Sequence, residues 1–187
     1  MPRIERWFDT DSPSFHHIAE PQRTWLALRS SLTKRLAEHF GAEVAVRVLS
    51  ERHDRFLTSE RYLLETIARS GRIREVQLEI GGRPYVVART VFPAHTARGA
   101  NRALLQLGNR ALGSLLFGAM RAPASLRQFI CLYPSSSLWH VLRSHLPEDA
   151  QQLWARRALH RLHGRPLLVT EIFLPSMFAV GPISGAQ

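Results

Sequence analysis

Arg74, Arg89, Arg156 and Glu171 are charged residues whose spacing sets them among apolar neighbours. Arg74 has the period-two parity of Val76, Leu78 and Ile80, so on an extended strand it points with them and away from Glu75, Gln77 and Glu79. Glu171 shares parity with Leu167, Val169 and Phe173, and Arg89 with Tyr85, Val87 and Val91. A buried charge without a partner costs several kcal/mol, so such residues persist when paired or when they line a ligand cavity. Guanidinium forks grip carboxylates and a glutamate can exchange a proton, which together is chemistry suited to a small anion. The same pattern also fits a buried Arg/Glu pair with no ligand. Parity fails at a bulge, and the strands of Arg89 and Glu171 are apolar on both faces, so inward and outward are less sharply assigned there than at Arg74. Two expected helix starts, near Leu32 and near Leu112, add free backbone N–H groups able to hold a carboxylate.

These residues lie on two matching hairpins. Arg74 to Pro93 reads as an alternating strand, a Gly81-Gly82-Arg83-Pro84 turn and a second apolar strand. Arg156 to Pro175 repeats the plan around Gly164-Arg165-Pro166. Gly82 to Pro93 aligns without gaps on Gly164 to Pro175 at an offset of 82 residues, so Arg74 corresponds to Arg156 and Arg89 to Glu171. Two copies are too few for a solenoid, and a duplicated unit within one antiparallel sheet is expected. A helix is expected after Ser30-Ser31, with Leu32, Leu36 and Phe40 on one face and Gly41 as its stop, followed by a strand over Glu43 to Leu49. Glu51 to Ser70 reads as polar and weakly helical. Asn101 to Phe117 reads as two short helices divided at Gly108, the second opening near Ala111; Phe129 to Tyr133 as a strand; Pro134 to Ser137 as a turn; and Pro147-Glu148-Asp149 as a short helical start.

The chain's 187 residues suit one domain, expected over 23–175 between an irregular arm (1–22) and a mobile tail (176–187). With 45% hydrophobic and 21% charged residues it is an ordinary globular composition, and neither a signal peptide nor a membrane-length apolar run occurs. A soluble, cytoplasmic protein is expected. The single Cys131 excludes an intrachain disulfide and reads as a small buried hydrophobe. His160 and His163 would face opposite sides of a strand with no acidic third ligand, so no metal is expected, and His16-His17 reads as solvated. The triple serine 135–137 lacks a nucleophile turn, and Gly81-Gly82 is a hairpin turn instead of a phosphate loop. The net charge of +10 comes from 25 basic residues, all arginine except Lys34, but these are dispersed without clustered aromatics, and no nucleic-acid partner is expected.

Taken in order, Ser31-Leu32-Thr33-Lys34-Arg35, Arg74-Glu75-Val76, Arg89-Thr90-Val91-Phe92-Pro93, Leu107 to Gly113, Leu153-Trp154-Ala155-Arg156-Arg157 and Gly164 to Pro175 resemble the chorismate pyruvate-lyase family, over Trp25 to Pro175. The resemblance implies an α+β domain with an antiparallel sheet of about six strands and helices packed around it over an enclosed ligand cavity. It implies conversion of chorismate to 4-hydroxybenzoate and pyruvate at the head of ubiquinone biosynthesis, by a monomer, without a cofactor and without stable membrane insertion. Carried over by position, the ligand-binding arginine is Arg74, the essential glutamate Glu171, and the backbone contacts to the ring carboxylate Leu32 and Leu112. Arg89 and Arg156 would then balance the charge of Glu171. The chain departs from the family in having Arg72-Ile73 where aromatic residues commonly precede the arginine, and in the stretch from Gly118 to Ala150. The sheet also resembles the effector-sensing domain of the histidine-utilisation repressor family, which implies an alternative: a module that binds a small anion without turning it over. Residues 1–22 are too short and irregular to supply a DNA-binding region.

Overall fold

A computed structural model describes residues 5–179. Seven strands form one antiparallel sheet: β1 (Phe8–Asp9), β2 (Ala45–Arg55), β3 (Ser70–Ile80), β4 (Arg83–Phe92), β5 (Ala124–Leu132), β6 (Leu153–Leu162) and β7 (Arg165–Phe173), in the spatial order β1-β5-β6-β7-β4-β3-β2. The helices are α1 (Pro13–His16), α2 (Gln22–Ala27), α3 (Leu32–Phe40), α4 (Thr58–Leu63), α5 (Leu112–Ser114) and α6 (Ser137–Leu142). Short 3-10 turns cover Ala94–Ala97 and Gly99–Gln106, and a π turn, Leu115–Ala119, follows α5. No helix among the described residues is long and apolar enough to cross a membrane.

The hairpins β3-β4 and β6-β7 occupy the middle of the sheet, joined through β4 and β7. Their turns are conformationally alike: Gly81 and His163 have φ of 58° and 48°, and Gly82 and Gly164 both have 77°, the left-handed pair that suits a two-residue hairpin. They differ in one pairing step, with no difference in length. In hairpin β3-β4, Glu79 pairs with Pro84 and Leu78 with Val86, which leaves Tyr85 as an extra, bulged residue; β6-β7 pairs without interruption from Trp154↔Phe173 to Leu162↔Arg165. Beyond Tyr85, therefore, β4 is out of phase with its sequence counterpart β7.

Both faces of the sheet are covered. On the front, α1, α2 and α3 bury Phe15, Trp25, Leu26, Leu32, Leu36 and Phe40 against Leu78, Val86, Phe129 and Phe173. At the other end of that face, the 94–122 segment packs Ala97, Leu104, Leu116 and Ala122 on Phe92, Leu162 and Leu167. On the back, α6 buries Leu138, Trp139 and Leu142 against Val87, Ile130, Ala155 and Ile172, and Leu64, just beyond α4, packs on Ile73, Val91, Leu159 and Leu168. The expected polar face of β3 is thus partly internal, and Glu75 is 1% exposed.

Local signals explain the elements that place the cavity. Ser31 caps α3 by accepting a hydrogen bond from the Lys34 N–H, and Gly41 ends the helix at φ 60°. The arm is more ordered than its sequence suggests: Phe8–Asp9 pair with Phe129–Gln128 of β5, and Phe15 is buried. β2 extends to Arg55 and β5 begins at Ala124, both longer than expected, and α6 rather than residues 147–149 forms the helix of that region. Met177 is buried and Phe178 packs near Phe173, while residues 180–187 of the expected tail lie outside the described residues. Cys131 is half-buried, not enclosed, with Sγ 3.6 Å from Gln152 Oε1.

Candidate active site

Between the two front caps, the sheet floors a cavity of ≈ 70 Å³. Arg74, Arg127, Arg156, His160 and Glu171 line it, with Leu32 and Leu112 at its helical rim. Strand pairing dictates these positions. Arg156 stands directly opposite Glu171, and Glu171 opposite Ala88; Arg127 pairs with Ala158, Ala158 with Val169, Val169 with Thr90, and Thr90 with Arg74. Paired residues share a face, so one row carries the Arg156–Glu171 couple and the next carries an arginine at each end.

The Arg156 Nε donates to Glu171 Oε2 at 2.5 Å, and its Nη1 donates to the carbonyls of Trp25 and Leu28 at 2.9 and 2.8 Å. One guanidinium thus fixes the glutamate and ties β6 to the chain entering α3. Arg74, whose side chain is 5% exposed, donates from Nη1 to Glu51 Oε2 at 3.1 Å and from Nη2 to the Gly108 carbonyl at 2.6 Å. His160, 3% exposed, engages the Ala122 carbonyl through Nδ1 at 2.8 Å, which makes Nδ1 the protonated nitrogen. Burial, with the positive Arg127 and Arg156 nearby, pushes the His160 imidazole below its ordinary range despite opposing help from Ala122 and Glu171.

The two helix starts meet at the rim. A Cβ built on Gly113 would lie 2.9 Å from Ser31 Oγ, so the glycine lets the first turn of α5 abut that of α3. First-turn N–H groups lack intrahelical acceptors, and Leu32 and Leu112 bring two such turns to one cavity. An oxyanion at this rim would meet donors, and one deeper in would meet guanidinium.

The structure brings together Arg74, Arg156, Glu171, Leu32 and Leu112, and separates Arg89 from them. The expectation that Arg89 balances Glu171 is corrected: Arg89 pairs with Thr170, one residue from Glu171, and so projects from the back of the sheet. The Tyr85 bulge is the cause, since the gapless sequence alignment crosses it. On the back, Arg89 donates to Glu60 at 2.7 Å and to Glu75 at 2.6 Å, and Arg52 reaches Glu75 at 2.7 Å. Ser50 also donates to Glu75 at 2.6 Å. Burial works to raise the Glu75 carboxyl, but the bonds from Arg52 and Ser50 and the charge of Arg89 bring it below the ordinary carboxylate range.

Arg127 and His160 were not singled out as site residues in the sequence. Arg127 has the parity of Phe129, so extending that strand by a few residues toward its N-terminus would have exposed it. Among the described residues no cluster of three metal-ligating side chains occurs.

A single antiparallel sheet with a charged cavity between two caps on one face defines a one-domain α+β class. Solved structures share it: PhnF from Mycobacterium smegmatis superposes with a TM-score of 0.58 at 11% identity, covering 86% of this chain and 71% of that one. The effector domain of the same protein gives 0.55 at 11% identity, over 80% and 91%. At such identities the likeness concerns the fold alone. The family model described as chorismate lyase matches residues 1–181, and this chain belongs to that family. A probable chorismate pyruvate-lyase of Methylococcus capsulatus is 40% identical over 160 residues, covering 84% of this chain and 96% of the relative. A chorismate pyruvate-lyase of Photorhabdus laumondii is 29% identical over 179 residues, covering 91% and 89%.

Proposed function

We propose that the protein is a chorismate pyruvate-lyase, removing the enolpyruvyl group of chorismate as pyruvate and leaving 4-hydroxybenzoate, the step that opens ubiquinone biosynthesis. The observation that carries the reading is the Arg156-held Glu171 inside an arginine-lined cavity, in a chain of the chorismate lyase family.

The reaction is a redox-neutral elimination. The C3–O ether bond breaks with its electron pair going to the enolpyruvyl oxygen, the C4 proton leaves, and the electrons of that C–H bond complete the aromatic ring. The departing enolate takes up a proton at its methylene carbon, balancing the one lost from C4, and becomes pyruvate. Because aromatisation drives the step, the proposal assigns no cofactor. The ring carboxylate would accept from the backbone N–H groups of Leu32 and Leu112. Arg74 would stabilise negative charge as it develops on the ether oxygen. Glu171 would act at the C4 hydroxyl; since Arg156 occupies Oε2, the other oxygen is the one available to accept from that hydroxyl. That geometry favours Glu171 as acceptor over general acid. Arg156 is a positioning residue. The protein would work as a cytoplasmic monomer without a nucleic-acid partner.

The test is incubation of EDTA-treated protein with chorismate, following 4-hydroxybenzoate by absorbance and pyruvate by a coupled assay. Equal amounts of both products are expected. No product above the uncatalysed background, with 4-hydroxybenzoate still binding, would instead make the protein a ligand-sensing domain of this fold.

A further inference from the structure

If the proposed reaction holds, the substrate enters with two carboxylates and the aromatic product keeps one, so the cavity needs a cation for a group that is present only before the reaction. Its arginines are not equally available. Arg156 is paired with Glu171 at 2.5 Å, and Arg74 with Glu51 at 3.1 Å, an acid that Arg72 shares at 3.3 Å. Arg110 also lines the cavity but is exposed, where water screens it. Arg127 is half-buried and, among the described residues, forms no ion pair with an acidic group; its hydrogen bonds go from Nη1 to the Leu28 carbonyl at 3.4 Å and from Nη2 to the Arg29 carbonyl at 3.1 Å. Burial and the adjacent positive Arg156 push its ionisation below the ordinary arginine range, against partial relief from Glu171. A carboxylate arriving beside it would remove that deficit of negative charge.

Position agrees with charge. Arg127 and Arg74 end the same cross-strand row, separated by Ala158, Val169 and Thr90 on three intervening strands. Four strand spacings set their backbones ~19 Å apart, and two long side chains reaching inward from that distance bracket a small ring resting on the short residues between.

We propose that Arg127 anchors the carboxylate of the departing three-carbon unit, the group released as pyruvate. That carboxylate keeps its charge while the ether bond breaks, so the contact strengthens binding of substrate and transition state alike. Its loss therefore falls on KM more than on kcat.

The experiment compares the wild-type chain with Arg127→Gln, measuring KM and kcat for chorismate and the dissociation constant for 4-hydroxybenzoate, with thermal melting to confirm folding. KM is expected to rise about 10- to 100-fold, kcat to fall less than about fivefold, and 4-hydroxybenzoate affinity to change less than about threefold. A purely structural Arg127, bracing residues 28 and 29 beside the α3 start, would weaken both ligands equally; that result, or an unchanged KM, overturns the proposal. If Arg127→Gln does not fold, Arg127→Lys carries the same comparison, with KM rising about 3- to 10-fold because the charge remains and the planar fork is lost. An unchanged KM, or equal losses for both ligands, overturns it there as well. Lack of turnover in the wild-type chain would fail the functional reading itself, whereas turnover with KM indifferent to residue 127 fails only the anchor.

Discussion

The two faces of the central sheet each bury arginines and glutamates, yet they close their charges differently. On the back, Arg52 and Arg89 meet Glu60 and Glu75 at 2.6–3.2 Å, and Arg52 also meets Asp54 at 3.1 Å, so two cations are satisfied by three acids. Arg157, further along that face, is held by neutral groups: two bonds to Gln128 and the ring of Trp7, 4.2 Å from its centroid; its burial pushes it down to about 10. On the front, four arginines, Arg72, Arg74, Arg127 and Arg156, stand against two acids, Glu51 and Glu171, and two helix starts add free N–H donors. A closed cluster has nothing to offer a ligand, while an open one beside a cavity is incomplete without an anion. The contrast separates structural from ligand-directed charge more sharply than burial does, since both faces are buried.

The sharpest test of the front face is Glu171→Gln, which keeps an acceptor for Arg156 but removes the charge. Turnover should fall about 10²- to 10⁴-fold with little change in the melting temperature. Normal turnover would end the assignment of Glu171. The back face should answer in the opposite way: Arg89→Met strips Glu60 of its cation, leaves Glu75 to Arg52 and Ser50, and should cost about 3–5 kcal/mol in urea unfolding, with KM of the remaining folded protein unchanged. An unaltered urea midpoint would erase the distinction between the faces.

A smaller effect is expected at the rim. Gly113→Ala should weaken 4-hydroxybenzoate binding about tenfold by forcing the two helix starts apart, and adding Ser31→Ala, which removes the obstructing oxygen, should recover much of it at a cost of about 1 kcal/mol in helix capping. Failure of the second substitution to help would mean the close approach is unimportant. The smallest effect concerns pH. The folded-state ionisation of His160 is depressed, so the unfolded chain binds the proton more readily and stability falls as pH drops below about 6.5. His160→Leu should flatten that part of the profile, leaving the further loss below about 4.5 that follows from the depressed Glu75 carboxyl.

Much of this arrangement was legible in the residues. The alternation of Arg74 to Ile80 gave its strand and the inward arginine, the Ser31/Gly41 pair framed α3, and the repeated Gly-Arg-Pro turns located both central hairpins. The errors have local causes. A bulge carries no fixed residue signature, so the phase change at Tyr85 was invisible and Arg89 was assigned to the wrong face. Glu75 reads as solvent-facing because alternation reports two faces without saying what covers the second; only the packing around α4 and α6 does. Arg127 was missed because its strand begins in a mixed stretch whose polar residues, Ser125, Arg127 and Gln128, obscure the period.

The bulge at Tyr85 also matters for how two sequence copies of equal length acquire two jobs. Without it, the copies at 82–93 and 164–175 would present equivalent positions to the same side, and their charges would compete for one space. The bulge alone turns the later part of the first copy over, so Arg89 fastens the opposite layer instead of crowding the ligand. Division of labour between the copies thus rests on a half-period shift in strand pairing, with no change in the length of either copy.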